Sequence, residues 1–332
     1  MTEDQPLLKT AGLTKQFSIG GGLRRARLHA VDDVTLQIGE REIVGLAGES
    51  GSGKSTIARL LARVYTPTAG EIYFQGKPLS AMRSRPEVLA YRGHVPMVFQ
   101  DPFSSINPVF RVSHGVLRSL KLHRPELSAA ERAAEAAWVF EAVGLSPASE
   151  ILHRYPYELS GGQRQRVGFA QALAMRPRLI LADEPVSMLD VSIRIGLLNL
   201  MRQLRDERGV SILYITHDIA SARYVADRLI VMYAGRIVEA GPVEDVLSSP
   251  RHPYTQLLLS AVPDPKAEPT LGAADLGEPP KVINPAPGCR FAPRCPLAIA
   301  ECVSVTPALL PLSPGHDAAC LVAQSGAEAK AF

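Results

Sequence analysis

A glycine-rich segment near the start of the chain ends in a lysine and a serine. Residues 48–55, Gly-Glu-Ser-Gly-Ser-Gly-Lys-Ser, match the pattern G-x-x-x-x-G-K-[ST] and lie between an apolar stretch and a helical pattern. Glycines allow a loop to direct its N–H groups at phosphate oxygens, and the following helix N-terminus adds a partial positive charge. We therefore predict that Lys54 contacts the β- and γ-phosphates of a nucleoside triphosphate and that the Ser55 hydroxyl is a ligand of Mg²⁺.

Two adjacent carboxylates follow a second apolar segment. Residues 179–182 are Leu-Ile-Leu-Ala, and Asp183 and Glu184 come directly after them. Because ligands of a parallel sheet bind at the carboxyl ends of its strands, both side chains are expected beside the phosphate loop. There we predict that Asp183 holds Mg²⁺ through its water shell and that Glu184 polarises the attacking water as a general base.

A histidine and a second glycine-containing motif are further candidates. His217 follows the apolar segment 210–216. A single histidine after a strand is more often structural than catalytic, but this one is expected at the same sheet edge as Lys54 and Glu184. The motif Leu-Ser-Gly-Gly-Gln at 159–163 precedes a helical pattern. Small residues at a helix start leave its N–H groups open, so the motif predicts another anion site.

The four cysteines lie in the last 45 residues with the spacing C-x5-C-x6-C-x17-C, at Cys289, Cys295, Cys302 and Cys320. A reducing cytosol disfavours disulfides, so a metal site is the leading hypothesis. Structural zinc sites usually pair cysteines roughly two to four residues apart, which this spacing does not match. An iron–sulfur cluster tolerates varied spacing, while zinc and unliganded thiols remain alternatives.

Short apolar segments without polar alternation are typical of strands covered on both faces, and they lie at 42–47, 95–100, 179–183 and 210–216. Helical patterns at 55–64, 129–142 and 193–208 separate them, so we predict an α/β fold around a mostly parallel sheet. Pro96 lacks an N–H, which is tolerable near the start of its strand. Residues 34–38 alternate apolar and polar, as a half-buried strand does.

The length of 332 residues allows two or three domains. Residues 101–175 carry helical patterns and no apolar strand, and we interpret them as a helical insertion into the sheet. The end of the chain differs, because 15 of the 27 prolines lie in residues 242–332 and prevent long helices or central strands there. We predict a domain of residues 1–240 and an extension of residues 241–332 that gains order from loops, contacts or a bound metal.

Composition and charge exclude several classes of protein. Apolar residues make up 46% and charged residues 21%, so disordered and fibrous classes are excluded. A net charge of +3 is too small to argue for nucleic acid on electrostatics alone. No apolar run reaches the roughly 18 residues of a membrane helix, and the polar N-terminus lacks the apolar region of a secretory signal. We expect a cytosolic protein that depends on other chains for any membrane span.

The order of these motifs resembles the ATP-binding subunit of an ATP-binding-cassette (ABC) transporter. Gln100 follows an apolar segment, and the motifs at 48–55, 159–163 and 179–184 precede Asp190 and His217. The resemblance covers residues 7–245 and implies a P-loop NTPase fold. That fold has a RecA-like core with a parallel sheet, an antiparallel β subdomain and a helical subdomain.

The resemblance implies a head-to-tail dimer with two ATP molecules between its protomers. Each ATP then lies between the Lys54 loop of one subunit and the Leu-Ser-Gly-Gly-Gln loop of the other. Ser160 and Gly162 would contact the γ-phosphate across the interface, and Asp190 would lie at the dimer seam.

Further roles are implied within one subunit. Phe17 would stack on adenine, where the family more often has Tyr, and Gln100 would contact Mg²⁺ and sense the membrane domain. His217 would orient the γ-phosphate and the water, and Met188 replaces a usually small residue beside Asp190. The implied nucleotide-binding set is Phe17, Gly48, Glu49, Ser50, Gly51, Ser52, Gly53, Lys54, Ser55, Thr56, Gln100, Ser160, Gly161, Gly162, Gln163, Asp183 and Asp190.

Three other segments resemble the oligopeptide/dipeptide importer branch of this family: 100–108, 251–258 and the cysteine segment 288–296. In that branch two different ATPase subunits, two transmembrane permeases and an extracytoplasmic solute-binding protein form the complex. The chain is most similar to the second, "F"-type ATPase. For the four cysteines, the branch implies a [4Fe–4S] cluster that orders the tail and is not catalytic.

We therefore expect a peripheral ATPase at the cytoplasmic face of the inner membrane, which energises the uptake of di- or oligopeptides. Relatives of the branch carry nickel, glutathione, murein peptides or sugars, so the same role for another solute is an alternative. A soluble ABC ATPase acting on nucleic acid or ribosomes is another, although such proteins usually carry two cassettes or a long coiled coil. An exporter is disfavoured, since exporters of this sort often fuse membrane spans to the cassette.

Overall fold

The structure is a computed structural model that describes residues 5–20, 26–101, 106–260, 280 and 282–326. Its strands are β1 (Leu8–Ile19), β2 (Ala26–Val34), β3 (Gln37–Ile38), β4 (Ile43–Ala47), β5 (Ala69–Phe74), β6 (Lys77–Pro78), β7 (Met97–Val98), β8 (Leu179–Asp183), β9 (Ser211–Thr216), β10 (Arg228–Tyr233), β11 (Arg236–Pro242), β12 (Leu310–Ser313) and β13 (His316–Ala318). Its α-helices are α1 (Lys54–Leu61), α2 (Arg85–His94), α3 (Ser113–His123), α4 (Ala129–Ala142), α5 (Ala148–Ile151), α6 (Gly161–Leu173), α7 (Val191–Arg208), α8 (Ile219–Val225), α9 (Val243–Ser248), α10 (Pro253–Ser260) and α11 (Leu321–Gln324).

The larger sheet has eight strands in the order β12-β13-β11-β10-β4-β9-β8-β7. The strands from β10 to β7 pair in parallel, and the pairs on the β12 side are antiparallel. Every residue of β4, β8 and β9 is buried. Neighbouring residues of β4 join different core clusters, with Ile43 on one face and Val44 on the other. Apolar side chains without alternation therefore produce strands covered on both faces, as predicted.

One predicted strand of this sheet is much shorter than the apolar run of 95–100. Only Met97 and Val98 form β7, and they pair with Leu181 and Ala182 of β8. The strand lies at the edge of the sheet, and Pro96 contributes no N–H to a ladder, so pairing is confined to two residues.

The second sheet is antiparallel and has the order β2-β1-β5-β6, with β3 also pairing with β1. The strand expected at 34–38 is divided between the end of β2 and β3. The Thr10 hydroxyl causes the break, because it donates to the Val34 carbonyl at 2.9 Å and accepts from the Leu36 N–H at 3.0 Å. The predicted alternation of burial survives, since Val34, Leu36 and Ile38 are all buried.

The segment 101–175 carries α3, α4, α5 and α6 between β7 and β8, joined by turns and loops, and none of its described residues forms a strand. Ser128 and Glu131 form a capping box at the start of α4, which begins and ends at the predicted residues. Apolar residues of these helices, among them Val139, Phe140 and Phe169, belong to the same core cluster as one face of the larger sheet. Residues 102–105 of the motif at 100–108 lie outside the described residues.

The proline-rich part of the chain extends the larger sheet. Hairpin β12–β13 pairs with β11 through Ala318 and Asp317, and Pro311 lies on the outermost strand. The helices of this part are short, as the prolines predict, and α10 has eight residues. Among the described residues, no helix is long and apolar enough to cross a bilayer.

Candidate functional site

The phosphate loop connects β4 to α1 and contains two glycines at which a side chain would collide with the backbone of another strand. Gly48 has φ +151°, and a Cβ there would lie 2.2 Å from the Met232 carbonyl oxygen. Gly53 caps α1 with φ +106°, and a Cβ there would lie 2.3 Å from the Ala30 oxygen. The loop therefore passes close to two neighbouring strands, which only glycine permits.

Lys54, the first residue of α1, is folded back over this loop. Its Nζ donates to the carbonyl oxygens of Gly48 at 2.6 Å and Glu49 at 2.8 Å. The side chain is only 4% exposed. Burial lowers the pKa of Lys54, and the carboxylates of Glu184 and Asp183 oppose that shift. The ammonium is thus held in the loop where phosphate oxygens are expected.

The predicted magnesium pair is assembled. The Ser55 hydroxyl donates to Oδ1 of Asp183 at 2.9 Å, across 128 residues of sequence. Burial raises the pKa of Asp183, and the hydrogen bond from Ser55 opposes the shift. A hydroxyl and a carboxylate at the end of a strand are oxygen ligands of the kind that Mg²⁺ prefers, so the residues present fit this ion.

The side chains of Gln100 and His217 both contact one carboxylate oxygen of Glu184. The His217 Nδ1 lies 3.2 Å from Oε2 of Glu184, and the Gln100 Nε2 donates to the same oxygen at 3.0 Å. The Glu184 backbone is left-handed, with φ +46°, and its N–H donates to the Ile215 carbonyl. Such backbone geometry is strained in a residue with a side chain and is held here by the adjacent strand β9.

These groups open into one cleft of about 1150 Å³. The predicted residues among its lining are Phe17, Glu49, Ser50, Gly51, Gly53, Lys54, Ser55, Thr56, Gln100, Glu184 and His217. Phe17 packs edge-on against Tyr65, with ring centroids 5.4 Å apart. Three predicted residues, Gly48, Ser52 and Asp183, do not line the cleft. Ser52 contacts Lys54, and Asp183 accepts the hydrogen bond from Ser55, so each adjoins a lining residue.

The Leu-Ser-Gly-Gly-Gln motif is not part of this cleft. Ser160 caps α6, where its hydroxyl accepts from the Gln163 N–H at 3.2 Å and the Gln163 side chain accepts from the Ser160 N–H at 3.0 Å. Gly161 and Gly162 form the first turn, and a Cβ on Gly162 would lie 2.2 Å from Ile193. Asp190, the residue before α7, is exposed and also lies outside the lining. The motif therefore presents a separate helix N-terminus.

Two residues that touch the phosphate loop were not predicted from the sequence. The Tyr254 hydroxyl accepts from the Glu49 N–H at 2.8 Å, and the Arg294 guanidinium forms two hydrogen bonds with the Glu49 carboxylate. Both residues lie more than 200 positions further along the chain. No local pattern indicates such contacts, because each depends on how the extension packs against β10.

The four cysteines lie close to one another. The Cys289 N–H donates to the Cys302 carbonyl at 2.8 Å, and Cys302 and Cys320 are buried. Burial raises the pKa of the Cys295 thiol to about 11, and the other three cysteines add to the shift. Among the described residues, no group of three or more His, Cys, Asp or Glu side chains is arranged to hold a metal ion. This finding supports neither a single zinc ion nor a [4Fe–4S] cluster, and both remain predictions.

The fold and the cleft together define the class of protein, an ATPase cassette in which a phosphate loop and a carboxylate-bearing strand face one nucleotide site. The family described as ABC transporter matches residues 31–187, and that described as oligopeptide/dipeptide transporter, C-terminal region, matches residues 238–302. The chain belongs to the ATP-hydrolysing subunits of ABC transporters, within this oligopeptide/dipeptide branch.

Relatives match over nearly the full length. A putative peptide import ATP-binding protein of Brucella abortus (strain 2308) is 42% identical over 97% of this chain and 99% of its own. The oligopeptide transport ATP-binding protein OppF of Escherichia coli (strain K12) is 42% identical over 95% of this chain and 96% of its own. The dimeric, post-hydrolysis structure of the ATP-binding cassette MJ0796 with ADP and phosphate is 30% identical, covers 71% of this chain and 98% of its own, and has a TM-score of 0.63.

Proposed function

We propose that this chain hydrolyses ATP to energise the uptake of di- or oligopeptides through an ABC importer. The observation that carries the proposal is the presence, in one chain, of a cleft lined by the phosphate loop, Glu184 and His217 and of an extension of the oligopeptide/dipeptide transporter type. Relatives of nearly the same length are named as peptide import or oligopeptide transport ATP-binding proteins, which supports the peptide substrate. The proposal divides the chain into an ATPase domain, residues 1–240, and an extension, residues 241–332.

Within the cleft, each group has a proposed role. When ATP binds, the Lys54 ammonium gives up its hydrogen bonds to the loop carbonyls and donates to the β- and γ-phosphate oxygens. The N–H groups of the loop and of the α1 N-terminus bind the same phosphates. Ser55, Asp183 and Gln100 hold Mg²⁺, which neutralises developing charge when it is bound. Phe17 offers a ring to the adenine.

Glu184 is proposed as the catalytic base of ATP hydrolysis. Its carboxylate accepts a proton from the attacking water as a general base, and His217 orients the water and the γ-phosphate. The 3.2 Å separation of His217 and Glu184 supports this pairing, because one contact fixes both groups before the substrate arrives. Catalysis by positioning and charge stabilisation is typical of phosphoryl transfer.

A second ATPase subunit is proposed to complete the site. The loop of Ser160, Gly161, Gly162 and Gln163 caps a 13-residue helix, yet it lies outside the Lys54 cleft of its own chain. Head-to-tail pairing would bring the partner's loop over the ATP and Asp190 to the seam. The related cassette MJ0796 is dimeric, which supports such an arrangement. In an importer of this branch, the partner is a second, homologous ATPase.

Two permeases and an extracytoplasmic solute-binding protein are the other proposed partners, and the chain then lies peripherally at the cytoplasmic face of the inner membrane. The helical segment exposes apolar side chains, among them Val109 at 74% and Tyr157 at 68%. Apolar groups of this kind support contact with a permease rather than with nucleic acid.

The four cysteines are proposed to hold a [4Fe–4S] cluster that orders the extension. Two of the four thiols, Cys302 and Cys320, are buried, which supports this hypothesis. Burial raises the pKa of the Cys289 thiol and the nearby Cys302 and Cys320 add to the shift, so these three thiols lie near one another. The chain's own contribution would be four thiolates. In this proposal the cluster takes no part in ATP hydrolysis.

Co-purification tests the importer directly. The chain is tagged, extracted gently from native membranes, and analysed by mass spectrometry together with its partners. We expect two permeases, a second ATPase and a solute-binding protein, whose bound ligand then identifies the solute among peptides, nickel, glutathione, murein peptides and sugars. Recovery only from the soluble fraction, with ribosomal or DNA-repair proteins, would overturn the proposal.

A further inference from the structure

The extension holds Glu49, the second residue of the phosphate loop, at both its backbone and its side chain. The Glu49 N–H donates to the Tyr254 hydroxyl at 2.8 Å, so this amide already has a partner and is not free for a phosphate. Arg294 Nη1 donates to Oε2 of Glu49 at 2.9 Å and Nη2 donates to Oε1 at 3.1 Å. The two parallel bonds form a fork between guanidinium and carboxylate, the strongest geometry available to such a pair.

The Arg294 guanidinium is fixed by more than its ion pair. Its Nη1 also donates to the Tyr233 hydroxyl at 3.3 Å, and its central carbon lies 5.6 Å from the Tyr233 ring centroid and 5.9 Å from that of Phe291. The side chain is only 11% exposed. A stacked and largely buried guanidinium loses little further freedom in holding a carboxylate, so the pair keeps its geometry.

The negative charge of Glu49 lies close to the groups that are proposed to bind the phosphates of ATP. Glu49 is a lining residue of the same cleft as Ser50 and Lys54. Burial lowers the pKa of Lys54 and the charge of Glu49 opposes that shift, so the two groups already interact. An unpaired Glu49 carboxylate would repel the phosphates of ATP and would compete with them for the Lys54 ammonium. Arg294 supplies the compensating charge from outside the loop.

We propose that Arg294 is a positioning residue of the nucleotide site, which neutralises and orients Glu49 and so lets the extension set the affinity for MgATP. The proposal deepens the function proposed above and rests on its assignment of the Lys54 loop to ATP. Arg294 acts through Glu49. Its effect on nucleotide affinity therefore disappears when the Glu49 charge is removed.

A double-mutant cycle tests this in the full-length chain, with binding of Mg²⁺–AMPPNP measured by calorimetry. We expect Arg294→Gln to weaken binding about tenfold in the wild-type background and less than about twofold in the Glu49→Gln background. Raising the salt concentration should reduce the loss of affinity in Arg294→Gln, because salt screens the repulsion between the unpaired Glu49 carboxylate and the phosphates of the nucleotide. A purely structural role of Arg294 predicts neither the rescue nor the salt effect.

A control variant distinguishes a specific effect of Arg294 from a general disturbance of its segment. Arg290→Gln removes a neighbouring ion pair of the same segment, with Asp32, and is expected to weaken binding less than about twofold. An equal loss for both arginine variants, or the same Arg294→Gln loss in both Glu49 backgrounds, would overturn the proposal. If Arg294→Gln does not fold, Arg294→Met, which also removes the charge, replaces it in the same cycle with the same expected results.

Lys54→Ala distinguishes this inference from the proposed ATP site. If Lys54→Ala loses binding and Arg294→Gln does not, the inference is wrong while the ATP site stands. If Lys54→Ala binds Mg²⁺–AMPPNP like the wild type, both are wrong.

Discussion

The Nδ1 of His217 lies 3.2 Å from Oε2 of Glu184, although 33 residues and the whole of α7 and β9 separate the two side chains in sequence. Both follow buried parallel strands, β8 and β9, which pair in register from Leu179 with Ser211 to Asp183 with Ile215. The register places the carboxyl ends of both strands at one edge. The contact therefore follows from the sheet itself rather than from a flexible loop.

We expect Glu184→Gln to bind MgATP and to lose most of its turnover. The amide keeps the size of the carboxylate but cannot accept a proton, and removing a general base typically costs about 10²- to 10⁴-fold in rate. ATPase activity and nucleotide affinity are measured on the same preparation of the assembled complex. Glu244→Gln, which removes an exposed carboxylate paired with Arg223, serves as the control. Turnover of Glu184→Gln within a few-fold of wild type would show that another group is the base.

Ser55→Ala is expected to weaken binding of ATP only when Mg²⁺ is present. The variant removes the hydroxyl that donates to Asp183 at 2.9 Å and that is predicted to bind the metal. Affinity measured with Mg²⁺ and with EDTA should differ strongly in the wild type and little in the variant. Ser187→Ala, which removes a nearby hydroxyl hydrogen-bonded to the Glu184 carbonyl, tests whether any lost hydroxyl has this effect. A Mg²⁺ dependence equal to that of the wild type would contradict the role of Ser55.

The arrangement of Lys54, Asp183, Glu184 and His217 was predictable because it follows from local rules. Continuous apolar runs define the central strands β4, β8 and β9 to within about one residue, and ligands gather at the carboxyl ends of parallel strands. The limits of β7 were not predictable, since apolar character alone does not indicate that a strand lies at a sheet edge. The break at 34–38 depends on the hydroxyl of Thr10, a residue 24 positions away from Val34.

The contacts of Glu49 were beyond sequence reasoning for a different reason. Arg294 is 245 residues away, and neither its neighbours nor its spacing indicates a partner. Contacts of this kind arise where separate parts of the chain pack together, so a single sequence contains no periodicity that reports them. The same holds for Tyr254, which is buried beneath the loop.

The buried His252 is expected to make the joint between the sheet and the extension sensitive to acid. Burial lowers the pKa of His252 from 6.5 to about 4, and the charge of Glu239, whose carboxylate accepts from the backbone N–H of His252 at 2.9 Å, opposes that shift. The other titratable neighbour is His316, whose Nε2 lies 2.7 Å from the second Glu239 oxygen. Because the unfolded chain takes up a proton below pH 6.5 and the folded chain does not, stability is present above that pH and is lost as pH falls toward 4.

This dependence is measured as the free energy of urea unfolding at pH 7 and pH 5. The loss from His252 alone should be about 2 kcal/mol over that interval. His252→Asn keeps an acceptor for the Tyr254 N–H, which the wild-type Nδ1 accepts at 3.0 Å, but cannot titrate. The variant should therefore lose less stability than the wild type between the two pH values. Parallel losses in both proteins would assign the acid sensitivity to other groups.

Cys295→Ser is expected to lower both the iron content and the protease resistance of the extension. Burial raises the pKa of Cys289, Cys295 and Cys320, so their thiolates are disfavoured unless a positive group stabilises them, and loss of one ligand should weaken the whole set. The wild type, purified without oxygen, should contain about four iron atoms per chain. Val303→Ser, an exposed substitution beside Cys302, is the matched control and should change neither quantity. Unchanged iron and unchanged proteolysis in Cys295→Ser would show that the cysteines do not order the extension through a metal. Stoichiometric zinc without iron in the wild type would replace the cluster by a single zinc ion.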